Sequence, residues 1–244
     1  MTVLVVSGTG TEIGKTVTTA AVAALAVAAG RSVAVLKPAQ TGVAPGEPGD
    51  AQEVVRLAGD AVTTLELARF PEPLAPNTAA RRAGMAPIRP HEVADAAEKL
   101  AAEHDLVLIE GAGGLLVRFD DEGATLADAA RLLAAPVLLV ASAGLGTLNT
   151  TTLTAEALRA RELTPLGVTV GSWPTAPDLA SRCNLADLPQ SAGTNLLGAI
   201  PAGAGALSGP DFRTRAGSWL GPELGGKWDA AAFTAREAPG AREV

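Results

Sequence analysis

Val3-Leu4-Val5-Val6-Ser7 runs directly into Gly8-Thr9-Gly10-Thr11-Glu12-Ile13-Gly14-Lys15-Thr16, and an alanine-rich stretch, Lys15–Ala29, comes next. An apolar β-branched run, a glycine turn and a helical pattern in that order make a strand–loop–helix unit. The turn fits G-x-x-x-x-G-K-[ST]. Small glycines let successive backbone N–H groups turn inward around phosphate oxygens, at the positive end of the succeeding helix. In that arrangement Lys15 reaches the β- and γ-phosphates of a nucleotide and the Thr16 hydroxyl ligates Mg2+.

The same alternation continues outward from this unit. Strand candidates recur at Val33–Leu36, Leu106–Ile109, Val137–Ala141, Leu166–Val170 and Leu196–Ile200. Helix candidates lie at Asp50–Gly59, Pro90–His104, Leu126–Leu133, Thr147–Glu162 and Asp178–Leu188. Strands that are apolar on both faces and alternate with helices predict an α/β fold of the P-loop NTPase type, a mostly parallel sheet with helices on both faces. Ligands then gather at the carboxyl ends of the strands. One domain is expected over residues 1–235, with a mobile Pro- and Gly-rich connection at Pro38–Gly49. One short helix is expected near Asp211–Leu220 and a disordered tail over residues 236–244.

Composition removes several classes of function. Of 244 residues, 48% are hydrophobic and 18% charged, which suits a packed core. A net charge of −7, with three Trp, four Phe and no Tyr, offers neither a basic face nor a stacking platform for nucleic acid. The longest uncharged apolar run, Ala20–Ala29, is too short to span a bilayer, and no basic residue precedes an apolar stretch as in a signal peptide. One cysteine, Cys183, forbids an intrachain disulfide, and two histidines, His91 and His104, make a His-based zinc site improbable. A cytoplasmic location is expected. Only four of the 19 basic residues are lysine, which draws attention to Lys15 at the end of the glycine turn and Lys37 at a strand end.

A phosphate loop needs carboxylates to hold its metal, at strand ends or on the loops beside them. Glu110 ends Asp105–Ile109 and opens Glu110-Gly111-Ala112-Gly113-Gly114, where glycines would let a phosphate approach the backbone; it also reads as a plain strand-ending Glu. Asp50 reads equally as a helix cap, with Glu53 three residues on completing a capping box. Lys37 ends its strand before Pro38, which holds it extended and presents the ammonium at the same sheet edge as Lys15. Two cations there suit an anionic reactant that gains charge in the transition state, although a solvated strand-end Lys has the same sequence.

Gly8–Thr16, Lys37-Pro38-x-x-Thr41-Gly42, Glu110–Gly114 and Leu145-Gly146-Thr147-Leu148-Asn149, in that order and spacing, closely resemble the dethiobiotin synthetases. The resemblance covers residues 2 to 205. It implies a homodimer that uses 7,8-diaminononanoate, CO2, ATP and Mg2+, and closes a ureido ring through a carbamate and a carbamic–phosphoric anhydride. It implies Thr16, Asp50 and Glu110 as the magnesium set and Lys37, with Lys15, as the active-site lysines. Glu12, Ile13, Gly14, Lys15, Thr16, Val17 and Gly111, Ala112, Gly113 would hold the nucleotide. Thr11, Glu12 and Thr41 would lie beside the substrate. Pro73, Leu74, Leu145, Gly146 and Asn149 match segments that receive the substrate's carboxylate tail across a dimer interface.

The sequence also departs from that pattern. Many relatives have an Asn for the adenine edge where this chain has Gly171, and Pro201-Ala202-Gly203 would pack on ribose or base through backbone. A lost side-chain hydrogen bond is worth about 0.5–1.5 kcal/mol net, so base discrimination is expected to fall roughly tenfold and other nucleoside triphosphates to be accepted. The Tyr that some relatives place near the carboxylate is missing. Two alternatives share the nucleotide half. A cobyric acid synthase-type ligase needs a glutaminase domain for which there is no room. A ParA/MinD-like ATPase switch typically carries another Lys early in the P-loop, where Gly10, Thr11 and Glu12 stand here.

Overall fold

In the computed structural model, which describes residues 2–238, the apolar run that opens the chain is β1 (Val3–Gly8), the middle strand of seven. To one side lie β4 (Leu106–Gly114), β2 (Val33–Thr41) and the edge strand β3 (Val62–Phe70). To the other lie β5 (Val137–Ala141), β6 (Pro165–Trp173) and β7 (Leu196–Pro201). All the pairings are parallel, with Val5 of β1 registered against Ile109 of β4 and Val137 of β5.

Strands apolar on both faces need a helix layer on each. Val5, Leu36, Ile109 and Leu139 enter one core layer and Leu4, Val35, Leu108 and Leu138 the other, as the period of two dictates. The second layer is closed by α1 (Lys15–Ala28), α2 (Asp50–Ala58) and α8 (Gly209–Ala216). The first is closed by α3 (Pro76–Ala83), α4 (Pro90–Ala101), α5 (Leu126–Leu132), α6 (Thr147–Arg159) and α7 (Leu179–Ala192). Across it Phe233 of α9 (Ala230–Glu237) meets Trp173 edge-on, with ring centroids 5.5 Å apart.

The expected α/β architecture is present, but α3 and α9 were not expected, and β4 runs past its expected end at Ile109 through Glu110 to Gly114. β3 was not expected from the sequence, because an edge strand is half-buried and Glu66 and Arg69 interrupt its apolar residues. β2 runs four residues past the expected end at Lys37, through Pro38 to Thr41. Pro38 is tolerated because β4 stops pairing with β2 after Leu36, while β3 continues alongside. The expected mobile connection at Pro38–Gly49 is therefore strand in its first part. Its remainder is tied down by Arg69, whose Nη1 donates to the carbonyls of Ala44 and Glu47 at 3.2 and 2.6 Å. At the other end of the chain Arg236 and Glu237, expected in the tail, belong to α9; residues 239–244 of that tail lie outside the described residues.

Parallel strands put all their carboxyl ends on one edge. The adjacent ends of β1, β4 and β2 thus bring the glycine loop, Glu110–Gly114 and Lys37–Thr41 together.

Candidate active site

The glycine loop closes on itself and on β6. A Cβ at Gly8 would lie 2.9 Å from Ile13 Cδ1, and one at Gly14 would lie 2.1 Å from the carbonyl oxygen of Gly171. Gly14 also has φ +92°, a conformation that costs an L side chain about 1–2 kcal/mol. Glu12 adopts φ 57° without being glycine, a strained backbone of the kind found where a ligand is gripped. No side chain caps α1 at Gly14, which leaves the first amides of the helix to the loop's interior.

Lys15 is 8% exposed and spans that interior, its Nζ donating to the Gly10 carbonyl at 2.7 Å. Burial, and then the nearby Lys37 ammonium, lower its pKa, against the pull of Glu110 and Asp50. Lys37 is buried more completely, at 2% exposure. Its Nζ lies 2.5 Å from Asp50 Oδ2 and 2.9 Å from Glu110 Oε1, and donates to the Gly111 carbonyl at 3.2 Å. Burial would lower Lys37, but Glu110 and Asp50 outweigh it, so the ammonium is held above the ordinary lysine value. Thr16 Oγ1 donates to the same Glu110 oxygen at 2.8 Å. One carboxylate oxygen thus links the phosphate loop to the β2 lysine.

These groups line a cavity of about 820 Å3. Thr11 through Val17, Lys37, Thr41, Asp50, Pro73, Leu74 and Glu110 through Gly113 all line it. Leu145, Gly146, Asn149, Gly171, Pro201, Ala202 and Gly203 lie outside its lining. Asp50 is not the helix cap: Gly49 is, and Asp50 opens α2 with its carboxylate on Lys37, while Glu53 pairs with Arg56. Gln40 and Val117 also face the cavity, and sequence reasoning misses both. Gln40 stands inside the Lys37–Gly42 motif, a signal that could have found it; Val117 carries none.

Residues 2–205 match the AAA domain family. The chain is 75% identical over 239 residues to an ATP-dependent dethiobiotin synthetase of Streptomyces avermitilis, covering 98% of this chain and all of that one. It is 70% identical to the protein of the same name from Streptomyces coelicolor, with the same coverage. The chain belongs to the ATP-dependent dethiobiotin synthetase family. It is an ATP-dependent ligase. A ParA family ATPase from Chlorobium tepidum shares the fold, with a TM-score of 0.56 over 87% of this chain and 90% of that one at 13% identity. MinD of Aquifex aeolicus does so at a TM-score of 0.55 over 88% and 87%, at 14% identity. At such identities the likeness speaks for the fold alone.

The synthetase's donor set suits a hard divalent cation. Among the described residues no three His, Cys, Asp or Glu side chains surround a common metal position, so the protein does not build a complete cage. It offers instead the Thr16 hydroxyl and the Asp50 and Glu110 carboxylates, and Glu110 Oε2 is buried with no hydrogen-bond partner. All are oxygen donors, and a few protein oxygens completed by phosphate and water are what Mg2+ prefers.

At Gly171 of this synthetase the backbone leaves no room for a longer residue. A Cβ there would lie 2.0 Å from the Ile13 carbonyl oxygen and 2.5 Å from Val140 Cγ1. Glycine at this point lets the phosphate loop rest directly on β6. Beyond it the β7 end is near as well, with the Ala202 amide donating to the Trp173 carbonyl at 2.7 Å. Among the described residues no helix is long and apolar enough to cross a membrane.

Proposed function

We propose that this synthetase closes the ureido ring of dethiobiotin from 7,8-diaminononanoate, CO2 and ATP, in three steps. One amine adds to CO2 and loses a proton, giving a carbamate. A carbamate oxygen attacks the γ-phosphorus as the bond to ADP breaks. The second amine then attacks the carbamoyl carbon, loses a proton and expels phosphate. The observation that carries the reading is the contact set of Lys37, whose ammonium touches Asp50 and Glu110 while Glu110 accepts from Thr16 of the phosphate loop.

The middle step joins two anions. Unit charges 4 Å apart repel by about 4 kcal/mol at an effective dielectric of about 20, so a buried site needs cations placed in advance. Lys15 would lie along the β- and γ-phosphates and Lys37 between phosphate and carbamate, with no reorganisation required as charge moves. Thr41 and the Thr11–Glu12 backbone would orient the diamine. Thr16, Asp50 and Glu110 would hold Mg2+, which when bound neutralises the phosphates and fixes their geometry.

Leu145 and Gly146 lie outside the cavity, and Leu145 is 92% exposed, with Leu153 of α6 at 57%. Both facts favour a homodimer in which the 145–149 segment of a second copy receives the substrate's carboxylate, at the N-terminus of α6. With one cysteine and an acidic net charge, the enzyme is expected to act in the cytoplasm.

The decisive experiment is mass-spectrometric detection of dethiobiotin from the diamine, bicarbonate and ATP. Lys37→Ala is expected to lower the rate about 10²–10³-fold, the loss typical of a charge-stabilising group. Phosphate release that ignores the diamine would replace the reading with a nucleotide switch. Appreciable turnover with CTP or GTP is also expected; activity confined to ATP would reject the relaxed base selection.

A further inference from the structure

We propose that Gln40 is a positioning residue for Asp50, delivering that carboxylate to the point where Lys37, Glu110 and Thr16 meet. The inference rests on the metal role proposed for Asp50.

Three observations carry it. Gln40 is 4% exposed, and its Oε1 accepts the backbone N–H of Asp50 at 2.8 Å while its Nε2 donates to the Thr41 carbonyl at 3.3 Å. A glutamine so deeply buried must find partners for its amide, and here it finds them at the residue that also faces the cavity. Second, α2 begins at Asp50 after Gly49, a cap with no side chain. The first free amide of the helix is satisfied by a side chain from β2 instead, while Gln52 Oε1 takes the Gly49 amide at 2.9 Å. Third, a Cβ at Gly49 would lie 2.7 Å from Gln40 Oε1 and 3.1 Å from Arg69 Nη2. The glycine at this cap makes room for the glutamine.

The mechanical consequence lies in the chain. Residues 43–49 include two prolines and two glycines and share no ladder with the sheet, so they do not by themselves aim the start of α2. Gln40 pins the main chain of Asp50 to the end of β2, the strand that also carries Lys37. The carboxylate then has only its own side-chain torsions to set, and its Oδ2 reaches Lys37 at 2.5 Å. Gln40 itself touches neither Lys37 nor Glu110 through any hydrogen bond of its amide. It acts through Asp50.

The test is a double-mutant cycle read without turnover. Mn2+ binding to the full-length enzyme with a non-hydrolysable ATP analogue is measured by electron paramagnetic resonance. Gln40→Met, which keeps the volume and removes the acceptor, is expected to weaken Mn2+ about five- to tenfold. The same change in an Asp50→Asn background is expected to shift Mn2+ less than twofold, and nucleotide affinity in EDTA is expected to stay unchanged in both. If Gln40→Met does not fold, Gly49→Ala, whose new methyl group displaces Oε1, is expected to give the same pattern. Equal weakening in both backgrounds, or none in either Gln40→Met or Gly49→Ala while Asp50→Asn weakens Mn2+, overturns the positioning role alone. Asp50→Asn without effect on Mn2+ overturns the metal role of Asp50 and the positioning role together.

Discussion

The phosphate loop, residues 8–14, and the connection 43–49 that leads to Asp50 flank one cavity, yet they are held by different means. The loop is fixed by backbone: the Thr9 amide donates to the Val140 carbonyl at 3.0 Å, and Gly14 lies on the Gly171 carbonyl with nothing between. The connection is fixed by side chains reaching from neighbouring strands. Arg69 of β3 grips the Ala44 and Glu47 carbonyls and pairs with Glu66, and Gln40 of β2 takes the Asp50 amide. A segment clamped by main chain tolerates no added atom at the point of contact, here Gly14. One clamped by side chains should loosen locally and leave the rest of the site intact.

The harshest way to test that contrast is Gly14→Ala. Left-handed strain together with a Cβ driven into the Gly171 carbonyl should cost about 2–4 kcal/mol. At roughly 2–4 °C of Tm per kcal/mol for a chain of this size, calorimetry reads the loss directly, and ATP binding should fall with it. A Gly14→Ala enzyme with unchanged Tm would mean the loop yields easily. Next comes Arg69→Met, which removes two charge-assisted bonds to carbonyls and should cost about 1–3 kcal/mol. Hydrogen exchange by mass spectrometry should show faster exchange in residues 43–49 and none of that change in residues 8–14. Acceleration in both would erase the distinction.

A smaller pair of changes separates strain from crowding inside the connection. Gly46 has φ +86° but nothing within 4 Å of the point where a methyl group would stand, so Gly46→Ala should cost about 1 kcal/mol and leave turnover unaltered. Gly49→Ala meets no positive φ and should instead lower turnover, measured at saturating ATP and limiting Mg2+.

The slightest effect concerns pH. Lys15 is lowered, chiefly by burial, so the unfolded chain holds its proton more firmly and charged Lys15 costs stability below its folded pKa. That cost fades as pH rises toward and past 10.5. Lys37 is raised, so its contribution is complete below 10.5 and is lost only as pH climbs through its higher folded value. In the enzyme without nucleotide, Lys15→Met should therefore gain stability at about pH 8 and lose that gain by about pH 10.5, while the penalty of Lys37→Met should persist. A Lys15→Met gain that grows with pH would reverse the assignment.

Most of the site could be read from residue order because it is built from strand ends. Gly8–Thr16 is a local pattern, and Lys37 and Glu110 each close an apolar run, so a parallel sheet had to bring them to one edge. Asp50 was ambiguous because its sequence surroundings fit a cap as well as a ligand. Its amide meets a glutamine ten residues earlier and its carboxylate a lysine thirteen residues earlier, contacts that no local window contains. β3 was invisible for a related reason: its half-buried alternation with Glu66 and Arg69 has meaning only once β2 lies beside it.

The linear order of residues settled most of the strands and helices, the phosphate loop with Lys15, and Lys37 after its apolar run, because backbone preference and hydrophobic period act over a few neighbouring residues. The tertiary structure alone decided that Asp50 faces Lys37, that Gln40 holds its main chain, and that Gly171 bears on the loop. Those facts depend on which strands lie side by side and on contacts of about 2–3 Å between chain segments that do not adjoin in sequence.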